Sequence, residues 1–146
     1  MEFPVLYTFR RCPYAMRARI SLYYSKINYE HREILLKDRP KKLYELSPKG
    51  TVPVLNFPDG RVIDESLDIM KWSMSINDSD SWFVNNISDQ LNAIKTNDYH
   101  FKKWLDKYKY HSRYPEFPVQ YYRDKCEEIL KSFEKKLENE KFLFCQ

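Results

Sequence analysis

The chain has 146 residues, enough for one domain or two small ones. Its 25 basic and 21 acidic side chains leave a net charge of +4, which by itself does not argue for a nucleic-acid partner. Only two glycines are present, which excludes a glycine-rich phosphate-binding loop, and no run of 18 apolar residues predicts a membrane-spanning helix.

The first half of the chain predicts alternating strands and helices. Short β-branched and aromatic runs indicate strands, and apolar residues at a spacing of three or four indicate helices. Proline is tolerated at the first position of a helix. The chain opens with a predicted strand over Val5–Phe9 and a helix from Pro13 to Lys26, in which Met16, Ile20, Tyr23 and Tyr24 fall at helical spacing. A strand over 29–35 and a short helix that begins at Pro40 follow. The last predicted elements are a strand over Val52–Phe57, a hairpin turn, a strand over 61–64 and a helix from Glu65.

The second half predicts helices only. Apolar residues keep a helical spacing from Ile87 to Tyr108, and again from Val119 to Leu137, where Cys126 lies on the apolar stripe. The polar segment before them, residues 77–81, predicts a connection between two domains. We therefore predict a domain over residues 1–77, a linker over 78–84 and a helical domain over 85–146.

Cys12 lies between the first predicted strand and the helix that begins at Pro13. The free N–H groups and the dipole at a helix start stabilise an anion, which favours the reactive thiolate, and Arg11 adds positive charge. Ala15 stands where a dithiol motif would have its second cysteine, so Cys12 needs an external thiol as its partner. The plainer alternative is a small buried cysteine that follows a strand.

Two further features lie at Pro53 and at the start of the last helix of the first half. A proline at a strand start is a candidate for the cis form, which would present the backbone of Val52 to an extended ligand. An ordinary strand-start proline is the alternative. Ser66 is typical of a helix cap. Its hydroxyl and the N–H groups beside it can also bind a carboxylate, and Glu65 can bind an ammonium group.

These motifs, in this order and spacing, resemble the glutathione S-transferase superfamily. The resemblance is to its cysteine-type branch, the omega-like transferases and their bacterial relatives, closely over residues 4–77 and more loosely beyond. It implies a thioredoxin-like α/β domain of βαβαββα order with a mixed sheet, followed by a partial all-helical domain that lacks several of the family's later helices. The motifs that carry it are Arg11-Cys12-Pro13-Tyr14-Ala15, Val52-Pro53-Val54-Leu55 and Glu65-Ser66.

The resemblance implies a role for each residue of a glutathione site. Cys12 is the catalytic residue, the nucleophile that forms a mixed disulfide with glutathione, while Arg11 and Pro13 support the helix start. The backbone of Val52, before a cis Pro53, pairs with the cysteinyl part of glutathione.

The two charged ends of glutathione have their own implied partners. Glu65 and Ser66 bind the ammonium and the carboxylate of the γ-glutamyl end. Arg39 stands where omega-like members carry a lysine for the glycyl carboxylate, a change that keeps the charge but alters the geometry. Tyr7 and Thr8 lie where other branches place an activating hydroxyl, and they are the weaker candidates.

The implied activity is glutathione-dependent thiol transfer or reduction, with glutathione as co-substrate and no metal. The substrate is a small or glutathionylated molecule. We also expect a homodimer, a cytoplasmic location, no membrane contact and no nucleic-acid partner. The alternative from another class is a non-catalytic binding or regulatory subunit of the same fold. Nucleic-acid binding by the lysine- and tyrosine-rich stretch 99–122 is a third, weaker interpretation.

Overall fold

A computed structural model describes residues 3–83 and 87–144 and divides the chain into two compact units, Met1–Trp82 and Phe83–Gln146. The first unit contains the predicted strands and helices in the predicted order. They are β1 (Val5–Thr8), α1 (Pro13–Tyr24), β2 (Glu30–Glu33), α2 (Lys41–Leu46), β3 (Val54–Asn56), β4 (Val62–Ile63) and α3 (Ser66–Ile76).

The four strands form one mixed sheet in the order β2-β1-β3-β4. β1 is parallel to β2, with Thr8 opposite Glu33, and antiparallel to β3, with Tyr7 opposite Val54. β4 runs antiparallel to β3 at the edge. The thioredoxin-like βαβαββα architecture that the motifs predicted is thereby confirmed.

Apolar clusters pack on both faces of the sheet, because side chains along a strand point alternately to opposite sides. Leu6 and Leu55 pack with residues of α1 and α3, whereas Val54 packs with Leu43 of α2. The central strands β1 and β3 are therefore held from both sides. This packing fixes the positions of the strand ends and of the loops that follow them.

Helix α1 buries a different face from the one that its large side chains suggested. Ala18 and Leu22 are fully buried against the sheet, whereas Ile20 and Tyr23 are 59% and 85% exposed. Small side chains let the helix approach the sheet closely, so the tightly packed face is the alanine face.

The second unit is helical, as predicted. The predicted long helix is realised as α4 (Ile87–Lys95), a π-helical turn (Thr96–Phe101) and α5 (Lys102–Lys109), and α6 spans Val119–Leu137. Cys126 is buried on α6, and burial raises the pKa of its thiol. Within the described residues, no helix combines the length and the apolar character needed to cross a bilayer.

The predicted domain boundaries at residues 77 and 85 stay predictions. Residues 78–82 of the predicted linker belong to the first unit, where the ring of Trp82 stacks on Tyr24 at a centroid distance of 3.7 Å. Residues 84–86 of that linker lie outside the described ranges.

Candidate functional site

The predicted site residues lie next to strand termini that meet at one end of the sheet. Cys12 comes after β1, and Arg39 comes after β2, which is parallel to β1. Val52 precedes β3, which is antiparallel to β1, and Glu65 follows β4, which is antiparallel to β3. The topology thus brings all four positions to the end of the sheet where β1 and β2 finish.

Cys12 is the N-cap residue of α1, and Pro13 is the first residue of that helix. The Cys12 N–H donates to the Phe9 carbonyl at 3.0 Å, which closes the turn between β1 and α1. The thiol is partly exposed and lies 3.7 Å from the Val52 carbonyl oxygen, to which it can donate. Two segments that are 40 residues apart in sequence therefore meet at the sulfur.

The Val52–Pro53 peptide bond is cis, the form that the family resemblance implied. Both residues are buried, and Val52 lies just outside β3. Within residues 3–83 and 87–144, no group accepts a hydrogen bond from the Val52 N–H. The Val52 backbone beside the thiol therefore keeps a donor for an extended ligand.

Glu65 and Ser66 lie at the start of α3, with Glu65 as the N-cap residue and Ser66 buried. The Glu65 carboxylate accepts a hydrogen bond from Lys49 Nζ at 2.5 Å. That bond is the main reason why the pKa of Lys49 is raised. Sequence reasoning missed Lys49, which approaches Glu65 only through the turn before β3.

Asp64 extends this group of charges. Its Oδ2 accepts a hydrogen bond from Ser47 Oγ at 2.6 Å and lies 3.1 Å from Lys49 Nζ. Burial by itself raises the pKa of Asp64, but the hydrogen bonds from Ser47 and Lys49 outweigh it and hold this pKa below its ordinary value. The network joins the α2–β3 loop to the start of α3 and was also missed from sequence.

Arg39 is half-buried in the segment between β2 and α2. Its Nε is buried and has no hydrogen-bond partner within the described part of the chain. No hydrogen bond or ion pair joins it to Cys12 or Glu65. The structure therefore leaves Arg39 with an unused donor but does not connect it directly to the other site residues.

The remaining predicted residues have ordinary partners. Arg11 is exposed, with its guanidinium carbon 5.6 Å from the centre of the Phe9 ring. The Tyr7 hydroxyl accepts a hydrogen bond from Arg32 at 3.0 Å, and Thr8 Oγ1 accepts one from Arg19 at 2.6 Å. Both hydroxyls therefore accept hydrogen bonds from arginine side chains.

Concavities border the first unit at several places. A groove of about 960 Å³ lies at the opposite end of the sheet, beside Val5 and Asn56, and none of the predicted site residues lines it. An apolar cavity of about 340 Å³ is lined by Pro13, Ile20 and Met70. Pro13 is the residue that directly follows Cys12. The strand-end topology, rather than the larger groove, therefore defines the candidate site.

Sequence comparison connects this geometry to known proteins. The chain matches a family model described as the N-terminal domain of glutathione S-transferase over residues 6–78. It is 37% identical over 71 residues to a probable maleylacetoacetate isomerase of Caenorhabditis elegans, an alignment that covers 47% of this chain and 33% of that protein. It is also 37% identical over 62 residues to glutathione S-transferase omega-1 of Mus musculus, covering 42% and 26% of the two chains. The alignment thus spans a third or less of these relatives.

Structural comparison extends the likeness to the second unit. Glutathione transferase Omega 3C from Trametes versicolor superposes with a TM-score of 0.79 at 19% identity, over 100% of this chain and 67% of that one. At this identity the likeness establishes a shared fold.

Proposed function

Because the chain belongs to the glutathione S-transferase superfamily, we propose that it is a glutathione-dependent thiol transferase whose nucleophile is Cys12. The observation that carries the proposal is the position of this thiol, partly exposed at the start of α1 and 3.7 Å from the Val52 carbonyl. A helix N-terminus stabilises an anion, and the thiolate is the nucleophilic form of cysteine.

Glutathione binds in this proposal as an extended tripeptide beside Val52, at the end of the sheet where β3 begins. The Val52 backbone, whose N–H has no partner within the described ranges, pairs with the cysteinyl residue of glutathione. This pairing brings the glutathione sulfur beside Cys12, because the Cys12 thiol already contacts the Val52 carbonyl.

The charged ends of glutathione take the polar groups on either side. Glu65 binds the ammonium, and Ser66, at the N-terminal end of α3, binds the adjacent carboxylate. Arg39, whose buried Nε has no partner among the described residues, binds the glycyl carboxylate. Lys49 already bonds to Glu65, so the incoming ammonium must share or displace that contact.

The reaction is a pair of thiol–disulfide exchanges. The Cys12 thiolate attacks the glutathionyl sulfur of a glutathionylated thiol, the S–S bond breaks, and the electron pair leaves with the substrate thiolate, which takes a proton from water. A glutathione thiolate, formed when glutathione gives its proton to water, then attacks the glutathionyl sulfur of the mixed disulfide. Oxidised glutathione leaves and the Cys12 thiolate is restored. The balance is one glutathionylated thiol plus glutathione giving one free thiol plus oxidised glutathione.

Intact-mass analysis after incubation with oxidised glutathione tests the proposal. We expect a glutathionyl group on the Cys12 peptide of the parent, mapped by peptide analysis, and none on the corresponding peptide of Cys12→Ser. Cys126→Ser is the matched control, and it should react like the parent because Cys126 is buried in the second unit. Equal adduct formation on Cys12→Ser would contradict the proposal and favour a non-catalytic subunit.

Turnover provides the second arm of the test. The parent should release a glutathionylated peptide, in the presence of glutathione, at least about tenfold faster than Cys12→Ser, because positioned sulfur atoms react faster than free ones. A homodimer and a cytoplasmic location also stay proposals, which sedimentation of the purified chain and imaging of a tagged chain would test.

A further inference from the structure

The side chain of Arg19 holds the backbone that precedes Cys12. It lies in α1, half-buried, and its Nη1 donates to Thr8 Oγ1 at 2.6 Å and to the Phe9 carbonyl at 3.3 Å. Its Nη2 donates to the Arg10 carbonyl at 3.0 Å. One guanidinium thus contacts three consecutive residues at the point where the chain leaves β1.

The other polar groups of this turn are held as well. The Arg10 N–H donates to Glu33 Oε1 at 2.5 Å, and the Cys12 N–H donates to the Phe9 carbonyl at 3.0 Å. Glu33 ends β2, so the turn is tied to the neighbouring strand on one side and to α1, through Arg19, on the other. The backbone before Cys12 is therefore hydrogen-bonded to both β2 and α1.

We propose that Arg19 is a positioning residue for Cys12, which acts on the sulfur through the backbone of residues 8–10. The inference rests on the proposed function, because it concerns the geometry of the same exchange reaction. A guanidinium presents five donors in one rigid plane and can bond to three acceptors at once. A lysine ammonium at the same place presents its three donors from a single nitrogen and cannot match the planar fork that bonds to all three acceptors.

The expected effect follows from the demands of thiol–disulfide exchange. The attacking sulfur must approach a bound disulfide along a defined direction, and a misplacement of about 1 Å can slow such a reaction by about 100-fold. Arg19→Met should therefore slow glutathionylation of Cys12 by oxidised glutathione at least tenfold, and Arg19→Lys should give an intermediate rate. Alkylation by iodoacetamide, a small reagent without a binding site, should change less than about threefold.

Arg32 provides the matched control. Arg32 makes two side-chain hydrogen bonds within the first unit, to Glu30 and to the Tyr7 hydroxyl, where Arg19 makes three, and none of the Arg32 bonds is to the turn before Cys12. Arg32→Met should therefore leave both Cys12 rates near those of the parent. A loss of stability alone would raise alkylation together with any change in exchange, because an unfolded chain exposes its thiols.

The experiment measures both Cys12 rates by peptide mapping, with hydrogen exchange at residues 9–12, in the parent and the three variants. Slow glutathionylation and faster hydrogen exchange in Arg19→Met, with near-parental alkylation, is the expected result. A parental glutathionylation rate in Arg19→Met, or equal slowing in Arg32→Met, overturns the inference alone. A parent that reacts with oxidised glutathione no faster than free cysteine overturns the proposed function and this inference with it. If Arg19→Met does not fold, a parental rate in Arg19→Lys has the same consequence as one in Arg19→Met.

Discussion

Replacing Asp64 with asparagine should destabilise the first unit in a way that depends on pH. Asp64 Oδ2 accepts a hydrogen bond from the fully buried Ser47 and lies 3.1 Å from Lys49 Nζ, so it ties the α2–β3 loop to the end of β4. Asparagine keeps an oxygen that can accept from Ser47 but carries no charge. The substitution therefore removes the charge from both interactions and leaves the shape nearly unchanged.

The magnitude follows from the two interactions. A hydrogen bond to a charged acceptor contributes about 1.5–3 kcal/mol, and one between neutral groups contributes about 0.5–1.5 kcal/mol. The pair with Lys49 is more exposed, at 44% for the lysine side chain, and adds at most about 1 kcal/mol. Asp64→Asn should therefore lower the free energy of unfolding by about 1–2 kcal/mol at neutral pH.

The sign of the pH dependence follows from the lowered pKa of Asp64. A carboxyl whose pKa is lower in the folded than in the unfolded state stabilises the fold fully above its unfolded pKa, about 3.9, and loses that contribution as the pH falls through the folded pKa. The difference between parent and Asp64→Asn should thus be constant from about pH 7 to about pH 5 and shrink below about pH 4.

Urea unfolding followed by circular dichroism, at several pH values and constant salt, measures this difference. Asp68→Asn is the control, because the Asp68 side chain is 58% exposed and pairs only loosely with Lys71 at 3.7 Å. Its effect should stay within about 0.5 kcal/mol. A difference for Asp64→Asn that is absent at neutral pH, or equally large at about pH 3, would refute the reasoning.

Two further predictions concern the same loop. Lys49→Met should tighten glutathione binding by about 1.5- to 5-fold in calorimetry, because the ammonium no longer competes with an exposed lysine for Glu65; unchanged or weaker binding would contradict this. Gly50→Ala should cost more than the about 1–2 kcal/mol of a left-handed backbone, because Gly50 has a φ of +60° and an added Cβ would also meet the Tyr44 ring. Gly60 has a φ of +88° with open space around it, so Gly60→Ala should show the backbone cost alone in the same unfolding assay. An equal loss of stability in Gly50→Ala and Gly60→Ala would contradict a contribution from the Tyr44 ring.

Local signals in the sequence were sufficient to predict the order of strands and helices and the place of the thiol. Strand and helix periodicities depend on residues that are close in the chain, and Pro13 marks a helix start because its fixed φ and missing N–H suit that position. Cys12 therefore had to precede a helix. Val52 and Glu65 were predicted as partners of glutathione from the family resemblance, which depends on the order and spacing of the motifs, and not from a local rule.

Contacts between distant segments could not be predicted in this way. The face of α1 that carries Ala18 is buried because its small side chains let the helix pack closely on the sheet, although Ile20 and Tyr23 are the larger apolar side chains. Arg19 donates back across nine to eleven residues to the turn before Cys12, and Lys49 meets Glu65 across 16. A charged side chain on a helix or a turn has no sequence signal that names its acceptor.

The sequence by itself determined which elements form and that a single cysteine begins a helix, since short-range backbone preferences and side-chain periodicity suffice for both. The tertiary structure alone decided that the thiol lies beside the Val52 carbonyl and that Arg19 ties down the turn before it. The physical reason is that the sheet register brings the ends of β1, β3 and β4 together, while the packing of α1 on the sheet brings Arg19 to the end of β1. Hydrogen bonds between those ends form only once the register is set.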